Sequence, residues 1–298
     1  MRRPRLSRSL PAVTALVLTA GLLTGCSGDL FGGCTPVFQP GDASSTVSAS
    51  GEIDESPAIE FPTPLIPDGV ERSVLLRGEG DPVAEGDTVR LELTMIDASS
   101  DEVIAEGGAT IAANDAYLGL GESLVCATPG TRLAVVGDPA DLGLNAAAPV
   151  VVVIDVEEVF LGKANGVNQL PLDGMPTVVT AVDGTPGIAV GYAAVPDEAR
   201  TSTIKAGGGA TVEGGDTVIF HGRSWSWAAD GDPSIGELDT WARFQPQTLE
   251  IDDASEEPVV QALEGAKVGS QLLVVVPGAD EAPATIFVLD VLGIVGDE

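Results

Sequence analysis

Apolar and polar residues alternate strictly through Arg90-Leu91-Glu92-Leu93-Thr94-Met95, the period of a strand with one face in water. Ser73 to Arg77, Gln271 to Val276 and Ala284 to Ile294 are short β-branched or apolar runs bounded by Gly, Pro or Asp, and they predict further strands. Helical spacing is clear in one place. From Glu256 to Glu264, Val259, Val260 and Leu263 share a face, Ser255 stands where a cap would, and Gly265 can end the helix. Glu256 and Glu257 suit its positive end.

This pattern occurs twice. At a fixed offset of 129, residues 57–89 align with 186–218 without a gap. Pro57 matches Pro186, Ile59 matches Ile188, and Gly86-Asp87-Thr88-Val89 matches Gly215-Asp216-Thr217-Val218. The offset grows to 139 where Leu124, Gly130 and Leu133 match Leu263, Gly269 and Leu272, and falls to 135 at Asp155 and Asp290. Changes of offset confined to the middle and end are loop-length differences within a duplicated fold, and the period is far too long for a solenoid. Glu122 to Cys126 takes the helix position in the first copy and is cut short by Pro129. Four or five antiparallel strands and one short helix predict an α+β class, two tandem domains each with a curved sheet packed on its helix. The expected boundaries are 26–50 for a tether, 51–161 for the first domain, 162–174 for a linker and 175–298 for the second.

The first 25 residues read as a leader. Arg2, Arg3, Arg5 and Arg8 precede an apolar stretch from Ala12 to Leu23, which is too short for the roughly 20 residues that span a bilayer. It ends in Leu23-Thr24-Gly25-Cys26, the form of a bacterial lipobox, in which the Cys thiol carries diacylglycerol. The alternative is an ordinary secretory signal with an incidental Cys. Pro4-Arg5 after Arg2-Arg3 departs from the twin-arginine pattern, so the general export route is expected. The mature chain then begins at a lipidated Cys26, anchored to the cell membrane on its extracytoplasmic side. In that oxidising compartment Cys34 and Cys126 are paired more often than free. A bridge would close a loop of roughly 90 residues; the other reading is two buried thiols.

Composition then narrows the chemistry. The chain of 298 residues has 45 Asp and Glu against 14 Lys and Arg, a formal net charge of −31. Such a surface repels nucleic-acid phosphates and anionic head groups, which excludes nucleic acid as a partner and leaves Cys26 as the only membrane attachment. One His and three Cys leave little for a His-ligated metal or a Ser-His-Asp triad, so no metal or cofactor is expected. Asp230-Gly231-Asp232 fails the EF-hand spacing, with Trp241 where a bidentate Glu is needed. Gly207-Gly208-Gly209 leads to no helix and has no phosphate-binding logic.

The second copy resembles the FKBP-type peptidyl-prolyl cis-trans isomerases. The resemblance runs from Gly215-Asp216-Thr217-Val218 through Leu238-Asp239 and Leu263-Glu264-Gly265. It continues through Lys267-Val268-Gly269-Ser270 to the closing strand Thr285 to Leu292. The first copy resembles it more faintly, through Gly86 to Val89, Pro129-Gly130-Thr131-Arg132 and Val150 to Val159. With the lipobox, the two Cys and the duplication, the whole looks like the tandem FKBP-like lipoproteins of actinobacteria.

The resemblance implies rotation about X-Pro bonds in a dry aromatic cup, where an Asp and Tyr hydroxyls orient the peptide and no nucleophile, metal or cofactor takes part. Carried over, it makes Asp239 the catalytic carboxylate, Leu238 and Phe287 pocket walls, and Val259 part of the floor. The first Tyr position falls on Gly222, next to His221, which would stand in for it or be an ordinary strand residue. Trp225, Trp227 and Trp241 would either rebuild the wall or serve as core. In the first copy Leu93 and Ala105 take the Tyr and Asp positions, so that copy is expected to be structural or a binding module.

The implied function is a lipid-anchored, extracytoplasmic prolyl isomerase or folding factor acting on X-Pro segments of exported or unfolded proteins. Any activity would lie in the second copy. The alternative is a catalytically silent FKBP-like peptide- or protein-binding module, favoured by the loss of both Tyr positions and of the long loop that carries one of them. A purely structural spacer is the third reading.

Overall fold

A computed structural model describes residues 33–296 apart from positions 54, 115, 116, 192, 229–231, 243, 280 and 281. The expected leader 1–25, the lipidated Cys26 and Asp230-Gly231 lie outside the described residues. None of the described helices is long and apolar enough to cross a membrane.

The first half opens with a 3-10 turn at Ser44–Thr46, then β1 (Ser48–Ser50), β2 (Ala58–Glu60), β3 (Glu71–Leu76), β4 (Thr88–Asp97) and β5 (Val103–Ala112). It continues with α1 (Leu118–Glu122), β6 (Arg132–Gly137), α2 (Pro139–Leu142) and β7 (Val150–Phe160). The second half holds β8 (Val167–Asn168), β9 (Thr177–Thr180), β10 (Pro186–Ala189), β11 (Arg200–Ala206) and β12 (Thr217–Trp227). After them come β13 (Ser234–Asp239), β14 (Gln247–Glu250), α3 (Pro258–Leu263), β15 (Gln271–Val276) and β16 (Ala284–Ile294). The fold is mostly antiparallel strand with few, short helices.

Both large sheets have one plan. The first runs β3-β6-β7-β4-β5 and the second runs β8-β11-β15-β16-β12-β13, with β14 also on β12. Matched by the repeat, β11, β15, β16 and β12 stand where β3, β6, β7 and β4 stand, and β13 with β14 replace the single β5. The central strands β6, β7, β15 and β16 are almost wholly buried and read as continuous Val/Ile/Leu runs, because apolar layers cover both of their faces. The wet-faced alternation at Arg90 to Met95 falls within β4.

On one face of each sheet lies a helix. Leu120 and Leu124 bury with Leu91, Leu133 and Ile154 in the first. Val260 and Leu263 of α3 bury with Phe220, Leu272 and Leu289 in the second. α3 starts later than the spacing predicts: Pro258 takes the first turn, where its missing N–H is no loss, and Glu257 rather than Ser255 is the cap residue. α1 lies at Leu118–Glu122, earlier than the expected Glu122 to Cys126; the chain after it turns to bring Cys126 to Cys34. Those two cysteines form a disulfide.

The opposite face of each sheet is covered by a hairpin that periodicity did not predict, β1 with β2 and β9 with β10. Ile59 and Phe61 pack beside Val151 and Val153, and Val178 and Ile188 beside Trp225 and Ile286. Two expected boundaries change accordingly. The tether expected over 26–50 does not run free to its end, since Ala43, Ser44 and Val47 are buried against the first sheet. The linker expected over 162–174 is partly strand: β8 pairs with β11, and Ala164 is buried. The two halves meet where Phe160 packs on Ile219 and Leu292, and the Leu161 N–H donates to the Leu292 carbonyl at 3.2 Å.

Candidate functional site

The sequence resemblance points to the helix face of the second sheet. Gly222, on β12, holds the first Tyr position. A Cβ built there would lie 2.7 Å from Leu238 Cδ2, 3.1 Å from Phe220 Cε2 and 3.2 Å from Leu289 Cδ2. Leu238, from the end of β13, therefore fills the space left by the missing side chain. Around this plug, Val259 of α3, Val276 of β15 and Phe287 of β16 are partly buried and form a rim over buried Phe220, Leu263, Val274 and Leu289. Three of the expected residues, Leu238, Val259 and Phe287, thus share one apolar cluster.

Asp239 does not join them. Successive strand residues face opposite ways, so Asp239 points away from the face Leu238 covers. It is the Cα partner of Arg223, whose Nη2 donates to Asp239 Oδ2 at 2.8 Å, and the Ala242 N–H donates to Oδ1 at 3.2 Å. Arg223 also donates from Nη1 to the Pro186 carbonyl on the hairpin, and its guanidinium lies 5.9 Å from the centroid of the Trp225 ring. Both carboxylate oxygens are thereby engaged. Asp239 borders a polar cleft of about 530 Å³ that it shares with Glu237, Gln245 and, from the first half, Thr110.

The tryptophans and His221 also sit on the hairpin side. Trp225 and Trp227 are buried among Met175, Val178, Ile188 and Leu273, because Trp225 pairs with Ile286 while Ser224 pairs with Phe287. Trp241 stacks on His221 with ring centroids 4.2 Å apart, and Phe244 meets Trp241 edge-on. His221 is 1% exposed, with Nδ1 2.7 Å from Thr240 Oγ1. Burial pulls its pKa down from 6.5 to about 4, so it is a neutral imidazole at ordinary pH. His221, Trp225, Trp227 and Trp241 are therefore core residues, and they do not rebuild the wall around Leu238 and Phe287.

Beside them is a polar tie that sequence reasoning did not single out. Gln271 donates from Nε2 to Asp290 Oδ1 at 2.8 Å, and the Ala164 N–H donates to Oδ2 at 2.8 Å. Burial pushes the Asp290 carboxyl up, with these two hydrogen bonds and Lys205 acting against that. The match of Asp155 with Asp290 in the repeat was the signal that could have found it. In the first sheet, Leu93 lies in the helix-face cluster at the Tyr position, and Ala105 is the Cα partner of Met95. Among the described residues no group of His, Cys, Asp and Glu is placed to hold a metal ion.

No protein-family model and no curated protein matches the chain. Among solved structures, it is similar to the three FKBP domains of wheat FKBP73, at 14% identity and a TM-score of 0.33, covering 76% of this chain and 95% of that one. It is also similar to FkpA from Escherichia coli, at 18% identity and a TM-score of 0.26; that match covers 39% of this chain and about half, 51%, of that one. A third is a putative peptidyl prolyl cis-trans isomerase FKBP12 from Mycobacterium tuberculosis, at 22% identity and a TM-score of 0.26, covering 33% of this chain and 86% of that one.

Proposed function

We propose that this chain is an extracytoplasmic folding factor of FKBP type, anchored by lipid at Cys26. In this reading it binds X-Pro segments of exported proteins at the helix face of its second sheet and isomerises them slowly at most. Its two units are residues 51–161 and 175–298, with residues 41–50 packed on the first and 162–174 on the second. The support is the order of motifs from Gly215 to Leu292, together with the partly exposed apolar rim of Leu238, Val259 and Phe287.

One observation carries the weak-catalysis half of the proposal: Leu238 lies over Gly222 where an aromatic hydroxyl would be needed. Rotation about an X-Pro amide crosses a barrier of about 20 kcal/mol, and an enzyme accelerates it only by favouring the twisted amide over the planar one. An apolar surface helps, since the twisted amide is less polar. Polar groups that hold the twisted peptide supply the rest. Here the carboxylate expected to do so, Asp239, faces the other way and is held by Arg223.

The test uses the mature chain, residues 26–298, in two measurements. One follows X-Pro exchange in a short peptide by NMR; the other follows binding of a permanently unfolded, Pro-containing polypeptide. Binding with exchange within about tenfold of the uncatalysed rate, which is tens of seconds, is expected. Rapid exchange abolished by Asp239→Ala would restore the full isomerase reading, and no binding at all would leave a spacer.

A further inference from the structure

The hairpin side of the second sheet carries a groove that the proposed peptide site does not use. It has a volume of about 550 Å³ and lies between β9, the segment around β8, and strands β11 and β15. Lys163 and Lys205 line it, two of the three lysines in the chain, and no Asp or Glu does. In a chain with 45 acids that is a local reversal of sign. Each ammonium uses a donor within the fold, Lys163 on the Val182 carbonyl and Lys205 on the Ala164 carbonyl. An ammonium has three donors, so each keeps two.

The rest of the lining is of two kinds. Asn168, Gln169, Thr177, Thr180 and Ser202 offer amide and hydroxyl groups. Leu172 and Val182 line it at 44% and 94% exposure, with Val167, Leu170 and Val179 also exposed along the same stretch. Of the twelve exposed large apolar residues among those described, five fall between 167 and 182. β8, at the end of the sheet order, pairs only with β11, so its outer backbone edge is open.

We propose that this groove binds an extended, apolar polypeptide segment bearing a carboxylate. Lys163 and Lys205 neutralise the acid, the amide and hydroxyl groups meet the peptide backbone, and Leu172 and Val182 cover its side chains. A lipid surface fits less well. The groove offers hydrogen bonds that acyl chains cannot return, and a net charge of −31 opposes approach to an anionic bilayer. Screening beyond about 8 Å lets two ammonium groups act locally even on so acidic a protein. The carboxylate could come from a chain terminus or from a side chain, and both share the chemistry. The groove lies on the opposite face from Leu238 and Phe287, so it does not depend on the proposed X-Pro site.

Fluorescence anisotropy with the mature chain tests the proposal on three labelled Leu/Val/Ser decapeptides. One has a free C-terminal carboxylate, one a C-terminal amide, and one the amide plus an internal Glu. At least one of the two acidic peptides is expected to bind about tenfold more tightly than the plain amide, and which one identifies the source of the carboxylate. Lys163→Gln, at an exposed position, should remove most of that advantage, and Val182→Ser should weaken binding of all three without moving the thermal melting curve. Lys205→Gln should act like Lys163→Gln, although it also loosens Ala164. Equal affinity for the three peptides, or affinities indifferent to Lys163→Gln and Val182→Ser, would overturn the proposal. So would binding of phosphatidylglycerol vesicles, lost in the same variants, with no peptide binding.

Discussion

Arg132 donates from Nε and Nη2 to the two carboxylate oxygens of Asp155, at 2.6 Å each, where the residues face one another across β6 and β7. Its Nη1 and Nη2 also reach the carbonyls of Gly51 and Glu52, so one buried side chain ties the first hairpin to the sheet. At the matching place in the second sheet Gln271 faces Asp290 and reaches Thr180 of the second hairpin at 3.2 Å. The duplicated fold keeps the tie and changes its electrostatics: a guanidinium against a carboxylate in one half, a neutral amide in the other. Removing the charged partner of a buried carboxylate costs far more than removing one neutral hydrogen bond to it.

Arg132→Met should therefore destabilise the chain by about 3–5 kcal/mol, since it strands Asp155 and two hairpin carbonyls. Gln271→Met should cost about 1–3 kcal/mol. Urea unfolding of the whole chain, followed by far-ultraviolet circular dichroism, measures both. Equal losses in the two variants would contradict this account of the pair.

The single histidine gives a clean pH prediction. His221 has a folded pKa of about 4 against 6.5 in the unfolded chain. Between those values the unfolded state binds the proton and the folded state does not, so stability is present above 6.5 and is lost as pH falls toward 4. The loss is about 3 kcal/mol. The carboxyls of Asp87 and Asp290, whose pKa values burial raises, oppose it: the folded state takes their protons first and gains stability as pH falls. The comparison must therefore be with His221→Gln, which cannot titrate. Urea midpoints of the two proteins should diverge most at pH 7 and converge toward pH 4.

Much of the fold is legible in the pattern of residues. The gapless block from 57 to 89 carries β2, β3 and the start of β4, and its match from 186 carries β10, β11 and the start of β12. The hairpins escaped because strands of three or four residues, such as Ser48–Ser50 and Thr177–Thr180, are too short to establish an alternation. Only the matches of Pro57 with Pro186 and Ile59 with Ile188 hinted at them. The site was legible in part. No alternation marked Ser234–Asp239 as a strand, so the resemblance put Leu238 and Asp239 in one pocket, whereas adjacent strand positions face opposite ways. Which face Trp225 takes depends on its register with β16, and a bulge between Ile219 and Phe220 shifts that register without any mark in the sequence.

The packing of Leu238 on Gly222 can be tested by a double-mutant cycle. Gly222→Ala drives a methyl into Leu238 and should cost about 1–3 kcal/mol by overpacking. Leu238→Ala removes the obstructing methyls and, by itself, leaves a gap. If the two side chains compete for one space, the double variant is more stable than the sum of the single losses by at least about 0.5 kcal/mol. Strict additivity would mean that Leu238 does not occupy the vacated Tyr position.

The disulfide and the tryptophans allow the two halves to be separated in one experiment. Cys34–Cys126 closes a span of 92 residues wholly within the first half, and its removal should cost that half about 4 kcal/mol. Trp225, Trp227 and Trp241 all belong to the second half, so their fluorescence reports that half alone. The halves meet in an apolar cluster of Phe160 and Leu161 with Ile219, Leu292 and Val295, and the Gly296 N–H donates to Glu158 Oε1. In the Cys34→Ser/Cys126→Ser double variant, the circular dichroism transition should therefore split, with an early phase at lower urea and a late phase that coincides with the tryptophan transition. The tryptophan midpoint itself should stay where it is in the unaltered chain. If it falls together with the circular dichroism signal, the seam at Phe160 transmits the loss, and the two sheets unfold as one cooperative unit.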